Sequence, residues 1–521
     1  MKDFSLKNIS NYLFLFGLFL LACSLPFSNL FMSLSQIIML GSFLLSGNLS
    51  EKIKLFAKNK IALVVCSLFI MHIIGLIYTS DFNYGMEDIR KKIPLLLLPF
   101  LFATAQPLPK GVFEKVLVAF TIAVSIASFI CFYVLLGYTN RQILQPQSAS
   151  IFISHIRFAL LISLSIFILG YFFAEKKSWA FKIIVVLLII WFILFLIMMG
   201  SATGVICISG TCVILLCVAI ARMKNRVITF IVVALCIVGI IFFSKYLFAV
   251  KNNFNQVSKI NYKQLPALTK NGNTYSHDTS NTETENGNRV WLFYCEKEVS
   301  DEWNKRSHIN YYKKDLRSNN IKFTIVRFLT SKQLPKDSEG VRALTQKEIE
   351  AIEKGIPNVN YMGLFNPMVR FRKIFWEFDM YLRGENPSGH SVIQRLEFWK
   401  AAVGIIKENP LIGVGTGDVK NTFEEQYKKM KSPLTKEWRL RSHNQFLAIG
   451  TAFGIIGIIW FLFTLFFPFY YQQKPISLLY LIFFVIAFLS MFAEDTLESQ
   501  AGVTFFAFFN SFFLFLKKDS A

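Results

Sequence analysis

The chain has 521 residues, of which 54% are apolar, 16% are aromatic and only 17% are charged, and its mean hydropathy is +0.47. Soluble globular proteins contain about 25% charged residues, so this composition excludes a single soluble domain, a disordered protein and a small disulfide-bonded scaffold. The net charge is +22. An apolar and basic chain is typical of a membrane protein whose positive residues lie between its helices.

Twelve apolar segments, bounded by charged residues, proline or glycine, predict twelve transmembrane helices. Their predicted ranges are 11–26, 29–46, 61–78, 93–106, 116–136, 157–174, 182–199, 202–220, 227–248, 444–467, 475–492 and 501–516. A polar segment of nearly two hundred residues separates the first nine from the last three. The predicted fold is therefore an all-α polytopic membrane protein, with transmembrane parts at 1–248 and 443–521 and a domain outside the membrane at 249–442.

The positive residues predict which side of the membrane each connection occupies. Seventeen Lys and Arg residues fall in one set of alternate connections, and five fall in the opposite set of short connections. Positive residues stay on the cytoplasmic side, so both termini are predicted to be cytoplasmic and the domain at 249–442 periplasmic. The first apolar run has no small-residue cleavage site and is interpreted as a signal anchor.

The polar segment between the ninth and tenth helices is predicted to be a folded insert. Two stretches, 289–294 and 321–328, have the composition of short strands. Thr345 opens a capping-box pattern, which predicts a helix. Apolar residues spaced by three and four positions predict an amphipathic helix over 392–409, and another helix follows Asp418. These patterns indicate a periplasmic insert of α+β or largely helical type.

Charge and cysteine content limit the possible partners and cofactors. The segment Lys251–Arg441 has 32 Lys/Arg against 22 Asp/Glu, a net charge of +10, which suits an anionic, phosphate-bearing substrate or is simply a basic solvated surface. The charge of the whole chain does not indicate nucleic-acid binding, because seventeen positive residues are the ones that orient the helices in the membrane.

Seven of the eight cysteines fall in predicted spans, and no Cys/His metal-site spacing occurs. No metal site is predicted.

The densest group of chemically competent residues comes directly before the tenth predicted helix and contains Arg439, Arg441, His443 and Asn444. Two guanidinium groups can bind a diphosphate bidentately, and a histidine can accept a proton from an attacking hydroxyl. The alternative is that the arginines only anchor the end of a membrane helix. Ionisable residues inside the predicted helices lie near their ends, which argues against a proton- or ion-coupled transporter.

A motif supports the chemical interpretation of this group. His443-Asn444, nine further residues and then Gly454-Ile-Ile-Gly457 resemble the His-[Asn/Ser/Arg]-x9-Gly-x2-[Gly/Thr/Val] signature of the O-antigen ligase and polymerase superfamily. Upstream, the run from Arg395 to Trp399 and the stretch Pro-Leu-Ile-Gly-Val-Gly at 410–415 resemble sequences that precede the histidine in the same family. The resemblance includes the twelve helices and is weakest over the insert at 251–390.

One position departs from the family pattern. The family often has a Ser-Arg dipeptide at the turn between its seventh and eighth helices, and this chain has Ala202 at the position of the arginine. Arg90, Arg157 or Arg395 would then have to supply the missing positive charge. His155 and Arg157, at the start of the sixth predicted helix, are interpreted either as interface anchors or as part of a pyrophosphate site.

Two further features have more than one interpretation. Glu494 and Asp495 precede the last predicted helix and are predicted to form a solvated turn; alternatively they bind a cation or orient an arginine. The glycine-rich stretch 413–417 is predicted to be a turn leading into the helix after Asp418, with the alternative that its backbone amides face a phosphate.

The resemblance implies a membrane glycosyltransferase that moves a glycan from undecaprenyl diphosphate to a lipid A-core hydroxyl at the periplasmic face. Its partners would be these two lipid-linked molecules and membrane lipids, with no nucleic acid, nucleotide or metal. His443 would act on the acceptor hydroxyl, Arg395, Arg441 and Arg439 would stabilise the departing diphosphate, and Asn444 would contribute to substrate binding. The alternatives are an O-antigen polymerase with the same donor, a glycan transporter and a non-catalytic envelope scaffold.

Overall fold

The structure is a computed structural model, which describes residues 6–139, 141, 143, 145–223, 229–230, 239, 241–242, 244–246, 248–249, 257–258, 260–362, 367–472 and 475–517. The chain forms two compact units. The first unit comprises Met1–Arg141, Gln147–Ala221 and Met380–Ala521, and the second comprises Gln142–Pro146 and Arg222–Asp379. Each unit has its own core of buried apolar side chains.

The first unit is helical over its described residues. Its helices are Leu6–Ser24, Asn29–Leu45, Leu49–Lys58, Lys60–Ile74, Phe82–Lys92, Pro94–Thr104, Lys110–Leu135, His155–Glu175, Trp179–Met198, Ala202–Arg222, Ile393–Glu408, Val419–Lys429, Gln445–Tyr471, Leu478–Ala493 and Gln500–Ser511. A short turn of π-helix, Phe512–Leu516, extends the last of them. Both helices predicted from the sequence between 392 and 430 are confirmed.

Five helices of the described chain are long and apolar enough to cross a membrane, or six if one bent pair is a single span. They are Lys110–Leu135, His155–Glu175, Trp179–Met198, Ala202–Arg222 and Gln445–Tyr471, and the bent pair is Asn29–Leu45 with Leu49–Lys58. Shorter apolar helices also coincide with predicted segments. The segment predicted at 227–248 lies largely outside the described residues, so the count of twelve stays a prediction.

The helix Gln445–Tyr471 is broken at Gly454, where the backbone adopts φ +62° and ψ −158°. A Cβ atom there would lie 2.4 Å from the carbonyl group of Leu411, so both the conformation and the close approach require glycine. The loop before Asp418 fills the break: Val414 and Gly415 donate to the carbonyls of Thr451 and Ala452. The spacing of the glycine motif therefore reflects a loop packed into a helix break.

The second unit contains little sheet. Its helices are Glu296–Arg306, Ile321–Ser331, Ser338–Arg342, Gln346–Glu353 and Pro367–Leu382, the last of which crosses the boundary between the units. The strands Thr284–Glu285 and Asn288–Arg289 pair antiparallel. The strand predicted at 321–328 is wrong, because its apolar residues follow a helical period and pack into the buried core. The capping box of Thr345 is confirmed.

Candidate functional site

A group of charged side chains forms the candidate site, in the first unit. It combines residues from the turn between the last two helices, the loop before Gln445–Tyr471, and the helices His155–Glu175, Ile393–Glu408 and Phe82–Lys92. These segments are distant in sequence, so tertiary packing assembles the group. Its residues are Asp88, Lys92, Arg157, Arg395, Arg441, His443, Glu494, Asp495 and Glu498, called here the charged cluster.

Glu494 and Asp495 lie at the centre of the charged cluster. Their side chains are only 4% and 8% exposed, so the prediction of a solvated turn is wrong. The helix Leu478–Ala493 ends at Glu494, and a short 3-10 turn, Thr496–Glu498, begins after Asp495. This tight turn directs consecutive acidic side chains into the protein, where burial of a carboxylate requires a charged or hydrogen-bonding partner.

Three arginines supply those partners. Arg395 Nη2 lies 3.2 Å from Glu494 Oε1, and Arg157 Nη2 lies 3.8 Å from Glu494 Oε2. Arg441 Nη2 is 3.8 Å from Asp495 Oδ2. The arginine side chains are 19–27% exposed. Their guanidinium groups therefore lie between the buried acids and the surface. This geometry agrees with the alternative interpretation of the sequence, in which Glu494 and Asp495 orient an arginine.

His443 contacts the same acids. Its Nδ1 atom is 3.4 Å from Glu494 Oε2 and 3.8 Å from Asp495 Oδ1, and its side chain is 29% exposed. The backbone of His443 has φ +44°, in the left-handed region that few non-glycine residues adopt. Its ring also packs against Phe398, with centroids 5.6 Å apart. The loop thus holds the imidazole next to the acids and leaves part of it accessible.

A deeper layer of ion pairs supports the arginines. Arg441 Nη1 lies 3.1 Å from Glu498 Oε2, and the same oxygen lies 2.8 Å from Lys92 Nζ. Lys92 also pairs with Asp88 one helical turn earlier. Gln445 donates to Glu498 Oε1 and accepts the backbone N–H of the adjacent turn. The deep layer therefore connects the loop before the broken helix to the helix Phe82–Lys92.

The charges determine the protonation of the acids. Burial favours protonated Glu494, but the hydrogen bond from His443 and the charges of Arg157 and Arg395 outweigh it and lower the pKa of the carboxyl. Burial is also the largest single effect on the pKa of Glu498 and acts to raise it. The neighbouring cations Lys92 and Arg441 outweigh burial, so the pKa of Glu498 is lowered. Burial raises the pKa of Asp495 despite the nearby cations. Glu494 and Glu498 are therefore the acids that best hold negative charge.

The other residues predicted for the site have different surroundings. Arg439 Nε donates to the carbonyl of Leu434, 3.1 Å away. Asn444 caps the helix Gln445–Tyr471 and donates to the carbonyl of Phe492, so it fixes the loop that carries His443. Arg90 lies on the exposed side of its helix. His155 begins the helix that carries Arg157.

The distances alone would allow a cation at His443, Glu494 and Asp495, whose potential ligand atoms lie within 4.8 Å of one another. The same carboxylates, however, already contact Arg157, Arg395 and Arg441, whose positive charges would repel a metal ion. The arrangement therefore favours the interpretation that Glu494 and Asp495 orient the arginines, and it disfavours a cation site at these acids.

The glycine-rich stretch 413–417 does not offer its amides to a phosphate. Each N–H group from Gly413 to Gly417 donates within the protein, to the oxygens of Asn409, Thr451, Ala452, Gly75 and Thr79. Asp418 then accepts hydrogen bonds from the backbone of Ser80 and Asp81. The predicted turn is confirmed and the phosphate alternative is wrong.

Sequence reasoning missed Asp88, Lys92 and Glu498. One signal was available: arginines next to an apolar helix need acidic partners when they are buried. The turn at 494–498 has three acidic residues within an otherwise apolar C-terminal region. The partner of Arg441 could thus have been sought there, although the identity of each pair depends on the fold.

Residues 358–462 match the family model described as O-antigen ligase. This part of the chain is similar to the O-antigen ligase family. The matched region includes Arg395, Arg441, His443 and Gly454, so the resemblance based on the histidine motif is confirmed. A search of curated proteins found no match. This match and the apolar helices support a bacterial membrane glycosyltransferase of the ligase or polymerase type.

Proposed function

We propose that the protein transfers a glycan from undecaprenyl diphosphate to a hydroxyl group of lipid A-core. The observation that carries this proposal is the convergence of three guanidinium groups and one imidazole on the buried pair Glu494 and Asp495, with all four cationic or basic groups partly exposed. Such a surface suits a diphosphate next to a hydroxyl group that must lose a proton.

In the proposed reaction, Glu494 accepts a hydrogen bond from Nδ1–H of His443, 3.4 Å away. This tautomer leaves the lone pair of Nε2 available, so the imidazole can take the proton of the acceptor hydroxyl. The hydroxyl oxygen forms a bond to the anomeric carbon as the bond between that carbon and the diphosphate oxygen breaks. The bonding electrons leave with the diphosphate.

Arg157, Arg395 and Arg441 stabilise the negative charge that grows on the departing diphosphate. Each guanidinium has five N–H donors, and its contact with a buried acid leaves others for the substrate. The acids hold the arginines in place before the reaction, so little reorganisation is needed as charge develops. Arg157 and Arg395 supply the positive charge that the family's arginine would provide at the position of Ala202. Arg90, Arg439 and His155 have no part in this proposed role.

The proposed location is the bacterial inner membrane, with both termini in the cytoplasm and the charged cluster at the periplasmic face. The seventeen-to-five distribution of positive residues supports this orientation. The reaction as proposed needs neither nucleotide nor metal, because the glycan donor is already activated by its diphosphate and the arginines provide the positive charge. The insert between the ninth and tenth predicted helices is then periplasmic.

A deletion strain tests ligase activity against polymerase activity. If the protein is the ligase, the lipopolysaccharide of the deletion strain should lack the long glycan, and the glycan polymer should accumulate on undecaprenyl diphosphate. A plasmid with the intact gene should restore attachment. Core that carries a single repeat unit would instead identify a polymerase and contradict the proposed reaction.

Arginine substitutions test the role of the charged cluster. We expect Arg395→Ala to lower the transfer rate by roughly 10²–10³-fold, the effect typical of losing one donor to a developing oxyanion. Arg395→Lys should retain an intermediate rate, because it keeps the charge and loses the planar fork. Transfer is measured with purified protein and lipid-linked substrates.

Arg383→Lys is the matched control, because Arg383 lies in the same unit and pairs with Glu385 outside the charged cluster. It should leave the rate unchanged. An unchanged rate in Arg395→Ala, at equal amounts of folded protein, would remove this arginine from the diphosphate site.

A further inference from the structure

The second unit contains a pocket that plays no part in the proposed transfer. It has a volume of about 290 Å³, close to the lower end of the range for small-molecule sites, roughly 300–1,000 Å³. Its wall includes residues of the short strand Asn288–Arg289, the turn that follows the helix Ile321–Ser331, and Ser258 and Ile260. This pocket, called here the insert pocket, is larger than an inorganic phosphate requires.

Lys336 lies in the wall of the insert pocket and is only 3% exposed. Its Nζ atom lies 3.3 Å from the carbonyl oxygen of Arg289 and 6.0 Å from the ring centre of Phe293, two residues that line the same pocket. Among the described residues no carboxylate pairs with this ammonium. Burial lowers the pKa of Lys336 to about 8. An ammonium group has three donors, so it can bind an anion.

Arg289 also lines the insert pocket and carries a second positive group. Its Nε atom is buried and has no hydrogen-bond partner among the described residues, and Nη1 makes only a long contact of 3.5 Å with the carbonyl of Asn281. Buried donors are normally satisfied, and exceptions indicate a missing partner or a functional role. Two residues that line the insert pocket therefore carry cationic groups with few partners, which suits an anionic ligand.

The rest of the wall is half polar and half apolar. Asn288 and Gln333 carry amide groups, whereas Phe293 and Leu334 carry apolar side chains. Phe293 and Gln333 have φ values of +54° and +59°, a strained conformation that is concentrated at ligand sites. Hydroxyl-bearing sugar rings have polar edges and apolar faces, so this wall suits a sugar better than a bare phosphate.

We propose that the insert pocket binds one carboxylate-bearing sugar residue of a glycan, a hexuronate, with its carboxylate at Lys336 and Arg289. The proposal rests on the second unit and does not depend on the transfer reaction. Amide groups of the wall bind the sugar hydroxyls, and Phe293 packs against the apolar face of the ring. The insert then selects acidic glycans.

Direct binding to the full-length protein tests the proposal. The protein is placed in lipid nanodiscs, because sugar-headed detergents would compete, and glucuronate, glucose and inorganic phosphate are titrated separately by calorimetry and ligand-observed NMR. We expect glucuronate to bind and glucose to bind at least about tenfold more weakly, since one hydrogen bond to a charged group contributes that much. Phosphate should also bind more weakly than glucuronate.

Lys336→Met should weaken glucuronate binding by about tenfold or more. Removing an unpaired buried charge should not destabilise the fold, and Arg289→Gln provides a second variant that leaves Lys336 in place and should also weaken binding. The exposed Lys314 gives the control Lys314→Met, which should bind normally. The proposal would be overturned if glucuronate does not bind detectably, if glucose binds equally well or if phosphate binds more tightly. It would also be overturned if folded Lys336→Met or Arg289→Gln binds glucuronate normally.

Discussion

We expect His443→Asn to abolish detectable glycan transfer while the protein still folds and inserts. Loss of a general base lowers a reaction rate by about 10²–10⁴-fold, and an asparagine amide cannot take up the proton of the acceptor hydroxyl. Asparagine is the sharpest substitution because His443 has φ +44°, and asparagine tolerates this left-handed conformation better than most residues. The measurement is complementation of a deletion strain, with the amount of protein in the membrane determined in parallel.

Two further variants separate proton transfer from orientation. His443→Ala should also be inactive, but it introduces backbone strain, so its stability must be compared with that of His443→Asn. His443→Gln restores a longer hydrogen-bonding amide without a basic nitrogen. Activity in His443→Gln would show that the residue only orients the acceptor, and activity in His443→Ala would refute a catalytic role.

The largest effect on stability is expected for Lys92→Met. The side chain of Lys92 is 1% exposed and pairs with Asp88 and Glu498. Its removal leaves two buried acids short of a positive partner, and breaking such a buried ion pair typically costs about 3–5 kcal/mol. We expect the free energy of unfolding to fall by about that amount, as measured by denaturant unfolding of the protein in detergent.

Lys91→Met is the matched control, because Lys91 is the neighbouring lysine on the same helix and is half-buried rather than fully buried. Its effect on the free energy of unfolding should lie within about 0.5 kcal/mol. The double variant Lys92→Met/Asp88→Asn should recover part of the lost stability, because it neutralises one of the acids left unpaired. Equal stability of Lys91→Met and Lys92→Met would show that the deep layer of ion pairs does not stabilise the fold.

Local sequence patterns predicted those features that depend on neighbouring residues. Apolar length predicted the membrane-type helices, and the three- and four-residue spacing before Asn409 predicted the helix Ile393–Glu408. The capping box of Thr345 predicted a helix start to the residue. The helix Ile321–Ser331 was wrongly predicted as a strand, because a short apolar run carries too little periodicity to separate the two structures.

The sequence by itself determined the family motif and the helical membrane class, since each is encoded by residue type and local spacing, and it predicted His443 and the arginines as site residues. Only the tertiary structure decided that Glu494 and Asp495 are buried beneath those arginines and that Lys92 joins Glu498 across more than four hundred residues of chain. Ion pairs between distant segments leave no periodic signal. Their partners are selected by which helices pack together, because a buried charge is stable only where that packing supplies its opposite.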